Sequence, residues 1–383
     1  MEQSVLSEEI WQRIREFAAD KPTPCLVVDR EVIRYKYQEL REVFPYASVY
    51  YAVKANPDAA VISCLADLGS NFDIASRYEL DKLLGLGVTA DRMSYGNTIK
   101  KAVDVEYAFS KGIRMFATDS ESDLRNLAKY APGSKVYVRI LTEGTETADW
   151  PLSRKFGCQA DMAIELILLA HELGLNACGI SFHVGSQQRD IGAWDAAIGK
   201  VRFICDRVSE HGIKLSMINM GGGMPALYTN RTHEIEAYGQ SIRRFLDEDF
   251  LDEQPEIIIE PGRSLVGESG VLVSEVVLIS TKSRDSLYRW VYLDVGLFGG
   301  LIESLGEAIK YPLYCDKDGE EEEVILAGPT CDSMDILYED HRYSLPLSLE
   351  AGDKLYWLST GAYTTSYSSI EFNGFPPLKT YVI

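Results

Sequence analysis

Eight short apolar runs recur along the chain with helical stretches between them, and the first four are spaced by about 21 residues. The runs are Val49–Lys54, Asn71–Ser76, Arg92–Tyr95, Arg114–Thr118, Lys135–Leu141, Gly179–Val184, Leu215–Met220 and Glu256–Glu260. Segments such as Ala59–Leu68, Arg77–Leu86 and Ile99–Lys111 carry the helical pattern between them. Strands alternating with helices predict α/β architecture with parallel strands. Eight such units ending near Gly262 predict a closed (β/α)8 barrel rather than a doubly wound open sheet, which usually has fewer strands. Longer spacings later in the chain place insertions after Leu141 and after the seventh strand.

The texture changes after Arg263. Val271–Ser280, Trp290–Asp294, Glu323–Leu326 and Asp353–Leu358 are β-rich, and turn signals such as Asp318-Gly319 and Ala351-Gly352-Asp353 separate them. A C-terminal, mostly β domain is expected over 264–383, the barrel over 30–263, and an N-terminal helix and strand over 1–29 packing with the β domain. Met1–Asp20 reads as an amphipathic helix with Ile10, Ile14 and Phe17 on one face. The run Glu320–Glu323 reads as a solvated hairpin turn, not a binding site.

Composition narrows the function classes. Lys and Arg total 38 against 58 Asp and Glu, a formal charge of -20 over 383 residues. Such a surface repels phosphate backbones, so nucleic acid is not an expected partner. No apolar run reaches the length of a membrane span, and the N-terminus lacks a basic region followed by an apolar one. Seven cysteines at scattered spacing suit free thiols in the cytoplasm better than a disulfide framework or a structural zinc site. The scattered histidines form no metal constellation, so no metal is expected.

Polar residues gather where the strands end: Lys54, Asp73, Asn97, Asp119, Arg139, His183, Gly221–Gly223 and Glu260–Arg263. Barrel enzymes build their sites from that edge. Lys54 either snorkels from its strand or serves as an amine of lowered pKa, ready to form a Schiff base. Gly221-Gly222-Gly223 matches neither a dinucleotide nor an NTP fingerprint. It allows backbone N–H groups to approach a phosphate, or simply makes a tight turn. Glu260 can partner a protonated ring nitrogen and Arg263 can offer charge to phosphate, or the two form a structural ion pair at a domain boundary. His183 can stack on an aromatic ring and Ser186 can donate to a phosphate. In Gly328–Asp335, Cys331 stands in a turn-rich segment together with two acids, which suggests an exposed loop. A lysine, a ring-nitrogen acid, a phosphate cradle and a stacking histidine at one barrel mouth match the needs of pyridoxal phosphate.

Taken in order, the motifs Tyr51-Ala52-Val53-Lys54-Ala55-Asn56, Phe72-Asp73-Ile74-Ala75-Ser76, His183-Val184-Gly185-Ser186, Gly221-Gly222-Gly223, Glu260-Pro261-Gly262-Arg263, Gly328-Pro329-Thr330-Cys331-Asp332 and Gly361-Ala362-Tyr363-Thr364 carry a resemblance. From about Thr23 to Tyr381 the chain resembles the fold-type III pyridoxal-phosphate decarboxylases of basic amino acids, the ornithine/lysine/diaminopimelate/arginine decarboxylase group. The resemblance implies an alanine racemase-like barrel plus β domain, with pyridoxal 5'-phosphate bonded to Lys54. It implies Glu260 on the pyridine nitrogen, His183 against the ring face, and Ser186, Gly223, Gly262, Arg263 and Tyr363 around the phosphate. It places Asp73 and Glu79 near the lysine. Cys331 is implied as the acid that protonates the substrate α-carbon, and Asp332 as the partner of the substrate's distal ammonium. Both would come from the partner subunit of a homodimer with shared active sites.

The Cys331-Asp332 pair is similar to ornithine-type enzymes, where diaminopimelate decarboxylases carry Cys-Glu-Ser. Two segments depart from the eukaryotic ornithine enzymes. Leu301–Pro312 has Gly306-Glu307 in place of Tyr-Asp, and the loop 149–157 places its arginine differently; both resemble shorter bacterial-type enzymes, some of which accept lysine. The expected reaction is ornithine to putrescine, with lysine to cadaverine beside it and Glu307 and Tyr363 assisting substrate binding. Arginine, diaminopimelate or a carboxylated polyamine are alternative substrates. Racemisation is disfavoured because Glu260 makes a strong electron sink. A non-catalytic regulator on the same fold is disfavoured by the presence of Lys54, Glu260 and Cys331.

Overall fold

The structure, a computed structural model, describes residues 6–143, 147–150, 154–251, 253 and 255–383. All eight expected barrel strands form: Ala47–Ala52, Asn71–Ile74, Met93–Tyr95, Met115–Thr118, Lys135–Arg139, Asn176–Ser181, Met217–Asn219 and Glu256–Ile259. They pair in parallel, in chain order, and the last pairs back onto the first to close the barrel. A buried cluster of Tyr50, Ala117, Tyr137, Cys178, Met217 and Ile258, each from a different strand, joins six of the eight strands.

Local chemistry marks where the first two barrel strands hand over to their helices. Asp58 caps the helix Ala59–Asp67 by accepting from the Ala60 N–H at 2.8 Å. Ser76 caps Arg77–Gly85 by accepting from the Glu79 N–H at 3.3 Å, while Glu79 Oε2 reaches back to the Ala75 N–H at 2.6 Å. Gly69, at φ +87°, takes the left-handed position after Asp67 and Leu68, where a side chain would be strained.

The chain divides into two compact units. The barrel unit takes Arg34–Pro225 and His233–Leu265; the other takes the described part of Met1–Ile33 together with Ala226–Thr232 and Val266–Ile383. The second unit is built on an eight-stranded sheet. Its long strand Gly270–Ser280 pairs with Lys354–Leu358, Arg289–Leu293 and the N-terminal strand Cys25–Val28. Cys25–Val28 in turn pairs in parallel with Lys379–Val382, near the end of the chain.

The helix Glu8–Ala18 buries Trp11, Ile14 and Ala18 against Cys25, Val27, Val271, Val273 and Tyr356, with Ile10 and Phe17 packed partly buried beside them. The face is thus turned toward Trp11 relative to the expected Ile10–Ile14–Phe17 stripe. Met1–Val5 of the expected helix lie outside the described residues. Residues 226–232 join this unit through Leu227 and Thr229, whose bonds run to Glu268, Ser359 and Lys310. The acidic run, expected as a solvated hairpin turn, instead opens the strand Glu321–Ala327, where Glu321–Glu323 pair with Pro346, Leu345 and Ser344; Glu321 and Glu323 are exposed. No described helix is long and apolar enough to cross a membrane.

Candidate active site

Lys54 stands just past the end of Ala47–Ala52, in a single 3-10 turn, Val53–Ala55. Its neighbours Val53 and Ala55 are buried while Lys54 itself is exposed. The Tyr51 hydroxyl donates to the Asn56 carbonyl at 2.9 Å and pins the turn.

Three carboxyls expected at the site, Asp73, Glu79 and Glu260, belong to the same barrel unit as Lys54. Asp73 is buried, and burial, followed by the charge of Glu260, holds its carboxyl well above the usual range against the opposing pull of Lys54. Its Oδ1 has no hydrogen-bond partner, and a Cβ on Gly96 would lie 2.0 Å from that atom, so only glycine leaves Asp73 its room. Glu79 is raised by burial, with the Ala75 N–H and Lys54 pulling the other way.

His183 follows Asn176–Ser181. Its Nδ1 accepts the Gly185 N–H at 3.0 Å, which leaves the ring proton on Nε2. Burial, then the charges of Arg139 and Lys54, push its pKa well below the ordinary value, so the imidazole is neutral. The glycine triplet packs against this segment and against Glu260. A Cβ on Gly221 would meet the Phe182 carbonyl oxygen at 2.4 Å, on Gly222 the Glu260 carbonyl oxygen at 2.6 Å, and on Gly223 the Gly185 carbonyl oxygen at 2.6 Å. Close approach of three strand ends, not merely a tight turn, requires these glycines.

Arg263 is buried, and its Nε donates to Ser186 Oγ at 3.1 Å. The ion pair that a domain-boundary reading would give Glu260 and Arg263 is not the contact formed. Glu260 Oε1 accepts from Asn219 Nδ2, and Asn219 Oδ1 accepts the Gly221 N–H at 2.9 Å.

The second unit holds the other expected residues. Cys331 is exposed, and its N–H donates to Asn373 Oδ1 at 2.9 Å. Asp332 Oδ1 accepts the Met334 N–H at 2.9 Å, a local turn that leaves the carboxylate partly exposed. Beneath this loop Asp335 is buried and accepts the N–H groups of Leu297 and Thr330 at 2.8 and 3.0 Å and the Thr330 hydroxyl at 2.7 Å. Tyr363 sits at φ +58°, its ring 5.5 Å from that of Tyr367.

Glu307 was expected to assist substrate binding. Its two carboxylate oxygens accept the backbone N–H groups of Glu339, Asp340 and His341 at 2.7, 2.7 and 2.8 Å. Burial raises its pKa, but these three donors outweigh that and hold it below the ordinary value. These bonds tie the carboxylate to the strand Ile336–Pro346. Of the loop 149–157, residues 151–153 lie outside the described residues.

Sequence reasoning missed Asn219, Asp335 and Asn373. A signal existed for the first two: Asn219 is a polar residue closing an apolar strand two positions before a glycine run, and Asp335 is the second acid of the Cys331 segment.

The barrel unit's donor set fits a phosphorylated pyridine. Ser186 and buried Arg263 supply anion donors beside the glycine backbone, the neutral imidazole of His183 adds no charge, and Asn219 Nδ2 fixes the place of the Glu260 carboxyl.

Comparison with known proteins agrees. The family model described as the pyridoxal-dependent decarboxylase, pyridoxal binding domain, matches residues 30–267. A lysine/ornithine decarboxylase of Selenomonas ruminantium is 36% identical over 95% of this chain and 90% of its own length. A lysine/ornithine decarboxylase from Vibrio vulnificus, solved with cadaverine, superposes with a TM-score of 0.89 at 30% identity, over 99% of this chain and 100% of that one. The arginine decarboxylase of Paramecium bursaria Chlorella virus gives a TM-score of 0.89 at 27% identity, over 98% of this chain and 100% of that one. Fold, donor set and relatives converge: the chain belongs to the fold-type III pyridoxal-phosphate-dependent decarboxylases that act on basic amino acids.

Proposed function

We propose that this enzyme decarboxylates a basic L-amino acid with a single distal ammonium, ornithine to putrescine foremost and lysine to cadaverine beside it. The observation that carries the reading is the Cys331-Asp332 pair, a thiol and a partly exposed carboxylate on one loop. Asp332 pairs the distal ammonium, which needs a countercharge once it leaves water. Diaminopimelate brings a second carboxylate as well, and a lone acid at this place repels it. Glu307, committed to the backbone of 339–341, supports that strand rather than the substrate.

Pyridoxal phosphate, when bound, supplies the electron withdrawal that lets the bond between the substrate's α-carbon and its carboxylate break. Lys54 binds the cofactor through Nζ. Glu260 holds a proton at the ring nitrogen, and His183 offers its neutral imidazole to the ring face. Ser186, Gly223, Gly262, Arg263 and Tyr363 hold the phosphate. Burial and the charge of Glu260 favour the neutral form of Asp73, which limits the charge it adds near Lys54. As CO2 departs, Cys331 Sγ gives its proton to the α-carbon, replacing the C–C bond with C–H; water reprotonates the thiolate.

Two further features belong to this reading. The enzyme acts as a homodimer in which Cys331 and Asp332 of one protomer serve the Lys54 of its partner; the exposure of Cys331, and its place in a different unit from Lys54, support this. It works in the reducing cytoplasm, in keeping with seven cysteines that form no disulfide. CO2 release from carboxyl-labelled ornithine, lysine, arginine and diaminopimelate tests the substrate reading. Ornithine or lysine should give the highest kcat/KM, and Asp332→Ala should lower it for both. A wild-type enzyme that prefers arginine or diaminopimelate would overturn it.

A further inference from the structure

Asn219 closes the strand Met217–Asn219 and is 1% exposed. Both ends of its side chain are used. The Gly221 backbone N–H can only donate, so the atom it meets at 2.9 Å must be the amide oxygen. That fixes the amide's orientation and turns Nδ2 to Glu260 Oε1. The Glu260 N–H closes the circuit by donating to the Gly221 carbonyl at 2.7 Å. Asn219, Gly221 and Glu260 therefore form a closed ring of hydrogen bonds, with Asn219 as the member whose side chain supplies two of them.

The ring joins two pieces of the site that have different tasks. Gly221 opens the glycine run assigned to the phosphate, and Glu260 is the acid assigned to the ring nitrogen. An amide N–H can be satisfied only by an acceptor, so Asn219 presents Glu260 with a donor at Oε1 and leaves Oε2 for a proton carried by something else. We propose that Asn219 is a positioning residue that locks the Glu260 carboxylate as a pure acceptor and ties its place to the glycine turn, so that ring-nitrogen acid and phosphate cradle are set as one piece. The inference rests on the reading of Glu260 given above.

Substitutions separate this from a packing role. Asn219→Leu keeps the branched outline, is somewhat bulkier, and removes both bonds. Asn219→Asp keeps the shape and the Gly221 bond but places a carboxyl oxygen against Glu260 Oε1, so one proton must lie between them. The other ionisable groups that feel Glu260 are Asp73, Tyr50 and Tyr137, on three other barrel strands, and these are unchanged in both variants.

The experiment uses purified full-length dimer. It measures thermal stability without cofactor, the dissociation constant of pyridoxal phosphate by titration of the apoenzyme, and the pH profiles of kcat and KM. Asn219→Leu should bind the cofactor about tenfold more weakly and lose about tenfold or more in kcat, with KM little changed. Asn219→Asp should approach wild-type kcat at the acid end of the profile and fall away as pH rises and the shared proton is lost, while wild type holds. Glu260→Gln is the control for the underlying reading: wild-type turnover in that variant would overturn both that reading and the proposal. A damaged Glu260→Gln beside an Asn219→Leu of wild-type cofactor affinity and kcat would overturn the proposal alone. If Asn219→Leu does not fold, Asn219→Asp decides: a pH profile parallel to wild type overturns the proposal, and an alkaline loss supports it.

Discussion

Asp73 is buried at the barrel mouth with an oxygen that has no hydrogen-bond partner, in a space that Gly96 leaves open for it. Its raised carboxyl pKa means that the folded protein keeps a proton which the unfolded chain releases above about pH 3.9. Stability therefore falls as pH rises from that value toward the raised folded one. Removing the ionisable group should lift the penalty. Asp73→Asn should melt at higher temperature than wild type at pH 7 without cofactor, with the difference shrinking toward pH 4, while turnover falls. Lower stability of Asp73→Asn at pH 7 than at pH 4, relative to wild type, would show that the carboxyl is not held neutral. Residue types at strand ends were enough to single out Lys54, Asp73, His183 and Glu260, because barrel chemistry gathers there. What they touch was not legible. Glu307 reads as a spare acid in the sequence, yet the structure commits it to the amides of residues 339–341.

At the scale of elements, the Cys331 loop is held from below. Asp335 takes three donors, and Gly296 and Gly328 make room for it: a Cβ on either would come within 2.3 Å of its Oδ1. Asp335→Ala would leave two backbone N–H groups and a hydroxyl without acceptors, and should cost about 2–5 kcal/mol. A shift in the urea midpoint at unchanged slope would register this; a change under about 0.5 kcal/mol would mean that water replaces the carboxylate. The barrel strands were legible because each is a short, mostly buried run between helical stretches. Their ends were not. Gly179–Val184 was expected where Asn176–Ser181 forms, since Phe182 and Val184 stay buried after the ladder has ended. Ile336–Pro346 was missed because Glu339-Asp340-His341-Arg342 breaks its alternation, and the carboxylate of Glu307 meets the backbone there. Lys379–Val382 is four residues whose partner, Cys25–Val28, lies at the other end of the chain.

For the whole molecule, the account requires two protomers per working site. Lys54→Ala and Cys331→Ala dimers should each be nearly inactive. After subunit exchange by random pairing, heterodimers form about half of the population and each has one intact site of two, so activity should return to about a quarter of wild type. Demonstrated exchange without recovery would place both residues in one site of one chain. The net charge of -20 suits a cationic substrate without specifying it. One methylene of substrate length is worth only about 1–3 kcal/mol, which no sequence pattern registers. The central claim is the preference for a single distal ammonium over a second amino-acid centre. It is tested most directly by offering wild-type enzyme equal concentrations of ornithine and diaminopimelate and measuring the two products over the same initial interval. Putrescine in large excess over lysine is the predicted result; lysine as the main product would contradict the account.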